Sequence, residues 1–263
     1  MGIVNVTPDS FQAEGRYNDP TAAIAHARRL IEEGADILDV GAESTRPGSA
    51  SITVAEELGR LLPVLAALID LQVPISVDTR HPEVMQKVID LGVDMINDVA
   101  GFRSAKSKKA VLMAKSSRAV ALCAMHMQGE PLTMQDAPAY RSVVAEVQEF
   151  FYLTYKELID VGIAPQRIVF DPGIGFGKTV EHNVQLIQQL KDLVSGLPFP
   201  VATLVGLSRK SLIGALTGKA PNERMVGSVV GAIAAVQHGA NIVRVHDVAA
   251  TVDALKVWQA LAV

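Results

Sequence analysis

Three polar side chains, Asp78, Asn97 and Asp171, each close a short apolar run: PISVD, DMIN and RIVFD. Burying a carboxylate is unfavourable unless it is paired. One such residue is adequately read as bonded to a backbone N–H or to a neighbouring Lys or Arg. Three at corresponding positions make a site rich in acceptors, suited to a ligand edge rich in N–H donors. The cations lie further along the chain. Arg244 and His246 are two apart on one strand-like run, so both point to the same face. Lys210 stands in SRKS and Arg46 in TRPG. Together they could neutralise a phosphorylated group, and α/β barrels often bind phosphate near strands seven and eight. The plainer reading is a set of rim charges paired with acids.

These residues need elements that bring them together. The chain opens on GIVNVTPDSF, an apolar run carrying one polar side chain, Asn5, which breaks at Thr7-Pro8 into a loop. Pro20 predicts the first turn of a helix capped by Asp19, with Ile24, Ala27, Leu30 and Ile31 on one face. Strands are predicted at 35–40, 74–79, 94–97, 119–126, 167–171, 201–207 and 241–245. Helices are predicted at about 53–69, 82–92, 138–161 and from 181, 211, 223 and 249. Three passages echo one another: GADILDV, GVDMINDV and GANIVRVHDV. In each, a helix-ending glycine (Gly34, Gly92, Gly239) precedes by five residues a polar strand-end side chain (Asp39, Asn97, Arg244). Strand–helix alternation with internal echoes favours a closed (β/α)8 TIM barrel, an α/β fold whose site lies at the C-terminal ends of the strands. A doubly wound open sheet also alternates, but normally needs fewer strands. No linker or low-complexity stretch divides the chain, so residues 1–263 are expected to form a single domain.

Composition supports this. Apolar residues make up 49% and aromatics 5%, so Val, Ile, Leu and Ala must build the core, as suits parallel strands buried on both faces. A net charge of −4 argues against nucleic acid as a partner. The single cysteine, Cys123, excludes an internal disulfide and reads as inert core. No apolar run is long enough to cross a membrane and no leader precedes the first strand, so a cytoplasmic protein is expected.

Some signals mislead. GIGFGKT resembles a phosphate loop, but the Walker spacing needs glycine where Pro172 stands, and the dinucleotide fingerprint wants its third glycine one residue later than Gly177. Lys106, Lys108, Lys109 and Lys115 read as a solvated helix face. His126 is a possible strand-end ligand, though no His/Asp/Glu set has metal-cage spacing. His26, His81, His182 and His238 show no evident role.

NVTPDSF, DVGAESTRPG, SVDT, IND, MHMQG, DPGIGFGK, GLSRKS and RVHD occur in this order along nearly the whole chain. The sequence thereby resembles the bacterial dihydropteroate synthases. The resemblance implies condensation of 6-hydroxymethyl-7,8-dihydropterin diphosphate with p-aminobenzoate, giving 7,8-dihydropteroate and pyrophosphate in folate biosynthesis. It implies a pterin site of Asp78, Asn97, Met125, Asp171, Phe176, Gly206 and Lys210, and a diphosphate site of Asn5, Arg46, Arg244 and His246. Phe11, Thr45, Pro47, Lys210 and Ser211 match the p-aminobenzoate pocket, and Asn5 a residue that helps hold Mg²⁺. Asp78, Lys210, Arg244 and His246 are the catalytic candidates, in a dissociative substitution. The family is a sulfonamide target, and a homodimer through late helices is its usual state. Two departures stand out: Gln12-Ala13-Glu14-Gly15 replaces the usual SDGG, and Ala42 replaces a glycine. The alternatives are a catalytically impaired pterin-binding paralogue, a methyltetrahydrofolate-dependent methyltransferase barrel, and a Schiff-base aldolase using Lys210.

Overall fold

The computed structural model describes residues 1–7, 20–44, 49, 51–113 and 119–261. Eight parallel strands run in the order of the chain: β1 (Gly2–Asn5), β2 (Leu38–Gly41), β3 (Ile75–Asp78), β4 (Met95–Asp98), β5 (Ala121–Met125), β6 (Ile168–Asp171), β7 (Ala202–Val205) and β8 (Ile242–Val243). A parallel bridge between Gly2 and Val245 joins the last strand to the first. It is secured by hydrogen bonds from Ile3 N to Val245 O and from Val245 N to Met1 O. The sheet is thus closed into a (β/α)8 barrel, and all strands end at one mouth.

Strand alternation sorts the side chains. Val4, Val40, Val77, Ile96, Leu122, Phe170, Val205 and Val243 point outward into the main core. There they meet helix residues such as Leu30 of α1 (Pro20–Glu32), Leu65 of α2 (Val54–Leu68) and Val88 of α3 (Pro82–Leu91). The inward set at the floor of the barrel is a small apolar plug of Met1, Met95, Cys123, Val169 and Leu204. Cys123 is fully buried there, so its reading as core stands. Above this plug the inward positions turn polar, and the site begins.

The helices form where their ends are satisfied. Thr53 and Glu56 make a reciprocal capping box at the start of α2. Pro82 opens α3, and Gly92 closes it with φ 114°. The remaining helices are α4 (Ala105–Met113), α5 (Val143–Asp160), α6 (Val180–Gln188), α7 (Leu190–Ser195), α8 (Ser211–Thr217), α9 (Met225–Gln237) and α10 (Val248–Leu261).

Several strands are shorter or shifted by a few residues from the predicted ranges, and four readings differ for identifiable reasons. The helix expected from Pro138 begins at Val143, because Ala137 has φ 59° and Ser142 caps the later start by accepting from Ala145 N. The helix expected from Glu181 breaks at Gln189, whose φ −106° and ψ 18° leave the helical region, so two helices stand there. The final strand is shorter than expected, since the Asn241 side chain takes the Thr203 N–H, although the chain stays paired as far as Val245. Lys108 is not part of a solvated face: its Nζ lies 2.5 Å from Glu157 Oε2 and ties α4 to α5. Asp19 and Lys115 lie outside the described residues.

Candidate active site

The three echoed passages converge on one point. Gly34, Gly92 and Gly239 all adopt positive φ, as the predicted helix ends require. Five residues on, Asp39, Asn97 and Arg244 meet inside the barrel. Arg244 Nε donates to Asp39 Oδ2 at 2.5 Å, and Asn97 Nδ2 donates to the same oxygen at 3.4 Å. Arg244 Nη2 reaches Asp78 Oδ2 at 3.1 Å. Among the described residues Nη1 of Arg244 makes no hydrogen bond. The guanidinium therefore joins β8 to β2 and β3 across the mouth.

Burial disfavours the Arg244 charge, but Asp39 and Asp78 more than offset this and hold its proton more tightly than usual. Burial raises the Asp78 carboxyl from 3.8 to about 7; Arg244 opposes the shift, and Asp39, Glu57 and Asp98 add to it. Burial also raises Asp171 at the end of β6, against Lys210, the Gly173 N–H and Arg244. Asp171 Oδ1 accepts that N–H at 2.7 Å. Two buried oxygens of this floor, Asp39 Oδ1 and Asn97 Oδ1, have no partner among the described residues. Unpaired buried acceptors of this kind call for donors from a ligand or water.

Lys210 follows β7. Its Nζ donates to Ile174 O at 2.6 Å and lies 4.5 Å over the Phe176 ring. Burial lowers this ammonium to about 8, against the pull of Asp171. Gly206 leaves the gap between Lys210 and Arg244 open: a Cβ there would lie 3.9 Å from Lys210 Nζ and 3.7 Å from Arg244 Cβ. His246 is held by Ser208, whose Oγ lies 3.0 Å from its Nδ1.

A cleft of about 1350 Å³ opens at this mouth. Asn5, Asp78, Phe176, Gly206, Lys210, Ser211, Arg244 and His246 all line it. Asn97, Met125 and Asp171 are buried at the same strand ends, with Met125 packed among Val99, Met127, Met134 and Phe176. Phe11, Thr45, Arg46 and Pro47, together with Gln12 to Gly15, lie outside the described residues.

Sequence reasoning missed several partners. Sequence spacing marks Asp39 only as a strand-end residue, yet it accepts from both Arg244 and Asn97. Lys178 stands in the GIGFGKT segment that matches no phosphate-loop spacing, yet it is buried and donates to His126, Gly173 and Phe176. His126, read as a possible ligand, is its acceptor. His182 caps α6 and His81 pairs with Glu57 at 2.5 Å. A lysine among glycines and apolar residues was the available signal for Lys178.

Among the described residues one group of side chains could hold a metal by proximity: Glu43, Glu57 and His81. Arg80 already occupies both Glu43 oxygens, each at 3.0 Å, so the group is built as an ion-pair network.

The profile of the pterin binding enzyme family matches residues 1–246. The chain is 50% identical over 268 residues to dihydropteroate synthase of Neisseria meningitidis serogroup B, covering 100% of this chain and 92% of that protein. It is 44% identical to that of Escherichia coli K12, covering 99% and 90%. Among solved structures, Xanthomonas albilineans dihydropteroate synthase with 4-aminobenzoic acid superposes with a TM-score of 0.91 at 48% identity, covering 100% of this chain and 93% of that one. The Burkholderia cenocepacia enzyme complexed with 7,8-dihydropteroate gives 0.88 at 45% identity, covering 99% and 90%.

Proposed function

The chain belongs to the pterin-binding enzyme family as a dihydropteroate synthase, and from that premise we propose how its own residues carry out the condensation. The substrates are 6-hydroxymethyl-7,8-dihydropterin diphosphate and p-aminobenzoate; the products are 7,8-dihydropteroate and pyrophosphate. The observation that carries the reading is the shared cleft, in which Asp78, bonded to Arg244, lies with Lys210 and His246, while Asn97 and Asp171 are buried at the same strand ends.

Asp171 and Asn97 receive the amino-pyrimidinone edge of the pterin. Asp171 accepts ring N–H groups, and the unpaired Asn97 Oδ1 takes another. Met125 and Phe176 line the ring, and Gly206 leaves room for it. Lys210 donates to the ring's carbonyl and N5. Arg244 and His246, with Arg46, hold the diphosphate through charge-assisted hydrogen bonds. Phe11, Thr45, Pro47, Lys210 and Ser211 form the p-aminobenzoate pocket, and closing the first two loops excludes water.

The substitution is dissociative. The bond from the exocyclic methylene carbon to the diphosphate oxygen breaks, its electron pair leaves with the diphosphate, and the ring delocalises the positive charge. Asp78 stabilises that cation, in a site where such interactions are strong. The neutral aniline nitrogen then attacks the methylene and releases its proton. No strong base is needed, because an aniline is unprotonated at neutral pH.

Asn5 fits Mg²⁺ in one way only: it offers a single amide oxygen, so diphosphate and water must supply most ligands, as this ion commonly arranges. When bound there, Mg²⁺ neutralises charge on the leaving diphosphate. We further propose that residues 1–263 act as one barrel domain in the cytoplasm. The apolar residues exposed on α9 and α10 fit a homodimer. No helix among the described residues is long and apolar enough to cross a membrane.

A pyrophosphate-release assay tests the reading. Release should require p-aminobenzoate, and Asp78→Ala should reduce it by about a hundredfold or more. Near-normal turnover of that variant would refute the electrostatic role of Asp78. Release without p-aminobenzoate would refute the condensation.

A further inference from the structure

The glycine-rich segment after β6 is wound around a buried ammonium that the mechanism above leaves unused. Lys178 is only 3% exposed. Its Nζ donates to the carbonyls of Gly173 and Phe176, each at 3.0 Å, and to the carbonyl of His126 at 3.2 Å. A fourth acceptor, His126 Nδ1, lies at 3.0 Å. Gly173 and Phe176 belong to the lysine's own loop, whereas His126 follows β5. One charge therefore folds the loop upon itself and clips it to the neighbouring strand end.

The chemistry of the set requires the charged form. An ammonium brings three N–H donors to four acceptors, whereas a neutral amine brings two. His126 supplies a bare nitrogen, because burial, followed by the Lys178 and Arg103 charges, lowers its ring to about 2 and keeps it neutral. Burial in turn lowers Lys178 to about 7, while Asp171 supports its charge and Lys210 and Arg103 oppose it. The winding is tight. Gly173 has φ 69°, and a Cβ on it would lie 1.9 Å from His126 O; one on Gly177 would lie 2.4 Å from Gln128 O. The loop's outer side faces the site: Gly173 N holds Asp171, Ile174 O holds Lys210, and the Phe176 ring lies beneath the Lys210 ammonium.

We propose that Lys178 is a positioning residue for the pterin ring: its charge shapes the loop 173–177 so that Asp171, Phe176 and Lys210 are aligned before substrate arrives. This rests on the assignment of Asp171 and Phe176 to the pterin given above. A purely structural ammonium would weaken every ligand equally; a positioning one weakens only the ligand that uses this wall.

The test is calorimetric binding of two probes to the full chain in the presence of magnesium. They are 6-hydroxymethyl-7,8-dihydropterin diphosphate and inorganic pyrophosphate, which engages only the Arg244 and His246 side. Lys178→Met keeps the stem and removes the charge. It should weaken the pterin diphosphate by about tenfold or more and leave pyrophosphate within about twofold. Equal weakening of both probes, or of neither, would overturn the proposal. Should Lys178→Met not fold, His126→Phe keeps the ring against Tyr140 and Phe150 while removing Nδ1. It should weaken the pterin probe alone by about threefold, and unchanged pterin binding in that folded variant would overturn the proposal. A folded parent protein that binds pyrophosphate but no pterin would instead refute the assignment of Asp171 and Phe176.

Discussion

Arg244 carries more of the site than any other residue, because two buried acids depend on it at once. Removing a buried partner costs more than a mutual pair contributes, since the remaining charge is left without compensation. Arg244→Met should therefore lower the stability of the chain by about 3–5 kcal/mol in urea unfolding. Asp39→Asn, which keeps an acceptor for the guanidinium, should cost clearly less. A smaller loss for Arg244→Met than for Asp39→Asn would mean that the guanidinium does not compensate both acids. Asp78 allows a test by pH. Its carboxyl titrates at about 7 in the fold against an ordinary 3.8, chiefly through burial. Between those values the folded state holds a proton that the unfolded state has released, so this group's contribution is full below 3.8 and is lost as pH rises through about 7. Asp78→Asn has no proton to lose there. Its melting temperature relative to the parent should therefore rise between pH 5 and pH 8, and a constant difference would contradict the raised titration.

At the scale of elements, the strand ends decide which side chains meet, and the glycines decide where strands begin. The five-residue spacing from Gly34, Gly92 and Gly239 was readable in the sequence because a left-handed helix end and a period-two strand are both local rules. Which of Asp39, Asn97 and Arg244 bond one another was not, since periodicity tells which face a residue takes but not which partner waits across the barrel. The burial of Lys178 was signalled by its setting among glycines and apolar residues, but its partners were not, since its acceptors are mostly backbone carbonyls, which leave no mark in side-chain spacing. The shared mouth was legible because closure of eight strands forces their ends together whatever their separation in sequence. Gly206 tests the element rule directly. A methyl there meets nothing closer than 3.7 Å, so Gly206→Ala should fold with a melting temperature within a few degrees of the parent. It should nevertheless reduce affinity for the dihydropterin diphosphate, since the methyl occupies the gap between Lys210 and Arg244. Unchanged affinity would place the ring elsewhere.

The barrel as a whole presents two kinds of surface, and only one of them is explained by the site. The mouth is polar and collects the ends of every strand. The flank formed by the last helices is not: Val226 and Val230 of α9 are 69% and 63% exposed, and Val257 and Leu261 of α10 are 58% and 74% exposed. Each pair is four residues apart and so lies on one helix face, and α9 and α10 pack against each other. Scattered apolar residues on a surface need no explanation, but two aligned pairs on adjacent helices make a patch of the kind that partners cover. The described residues of the cleft meet within one copy of the chain, so in the proposed homodimer a second copy buries the flank rather than lining these positions. A two-fold contact uses the same face on both copies, which a single pair of substitutions then disrupts twice. The parent protein should sediment as a dimer at micromolar concentration. Val226→Glu combined with Val230→Glu should sediment as a monomer with an unchanged circular dichroism spectrum. A monomeric parent would refute the proposed homodimer, and a dimeric double variant would move its interface to another face.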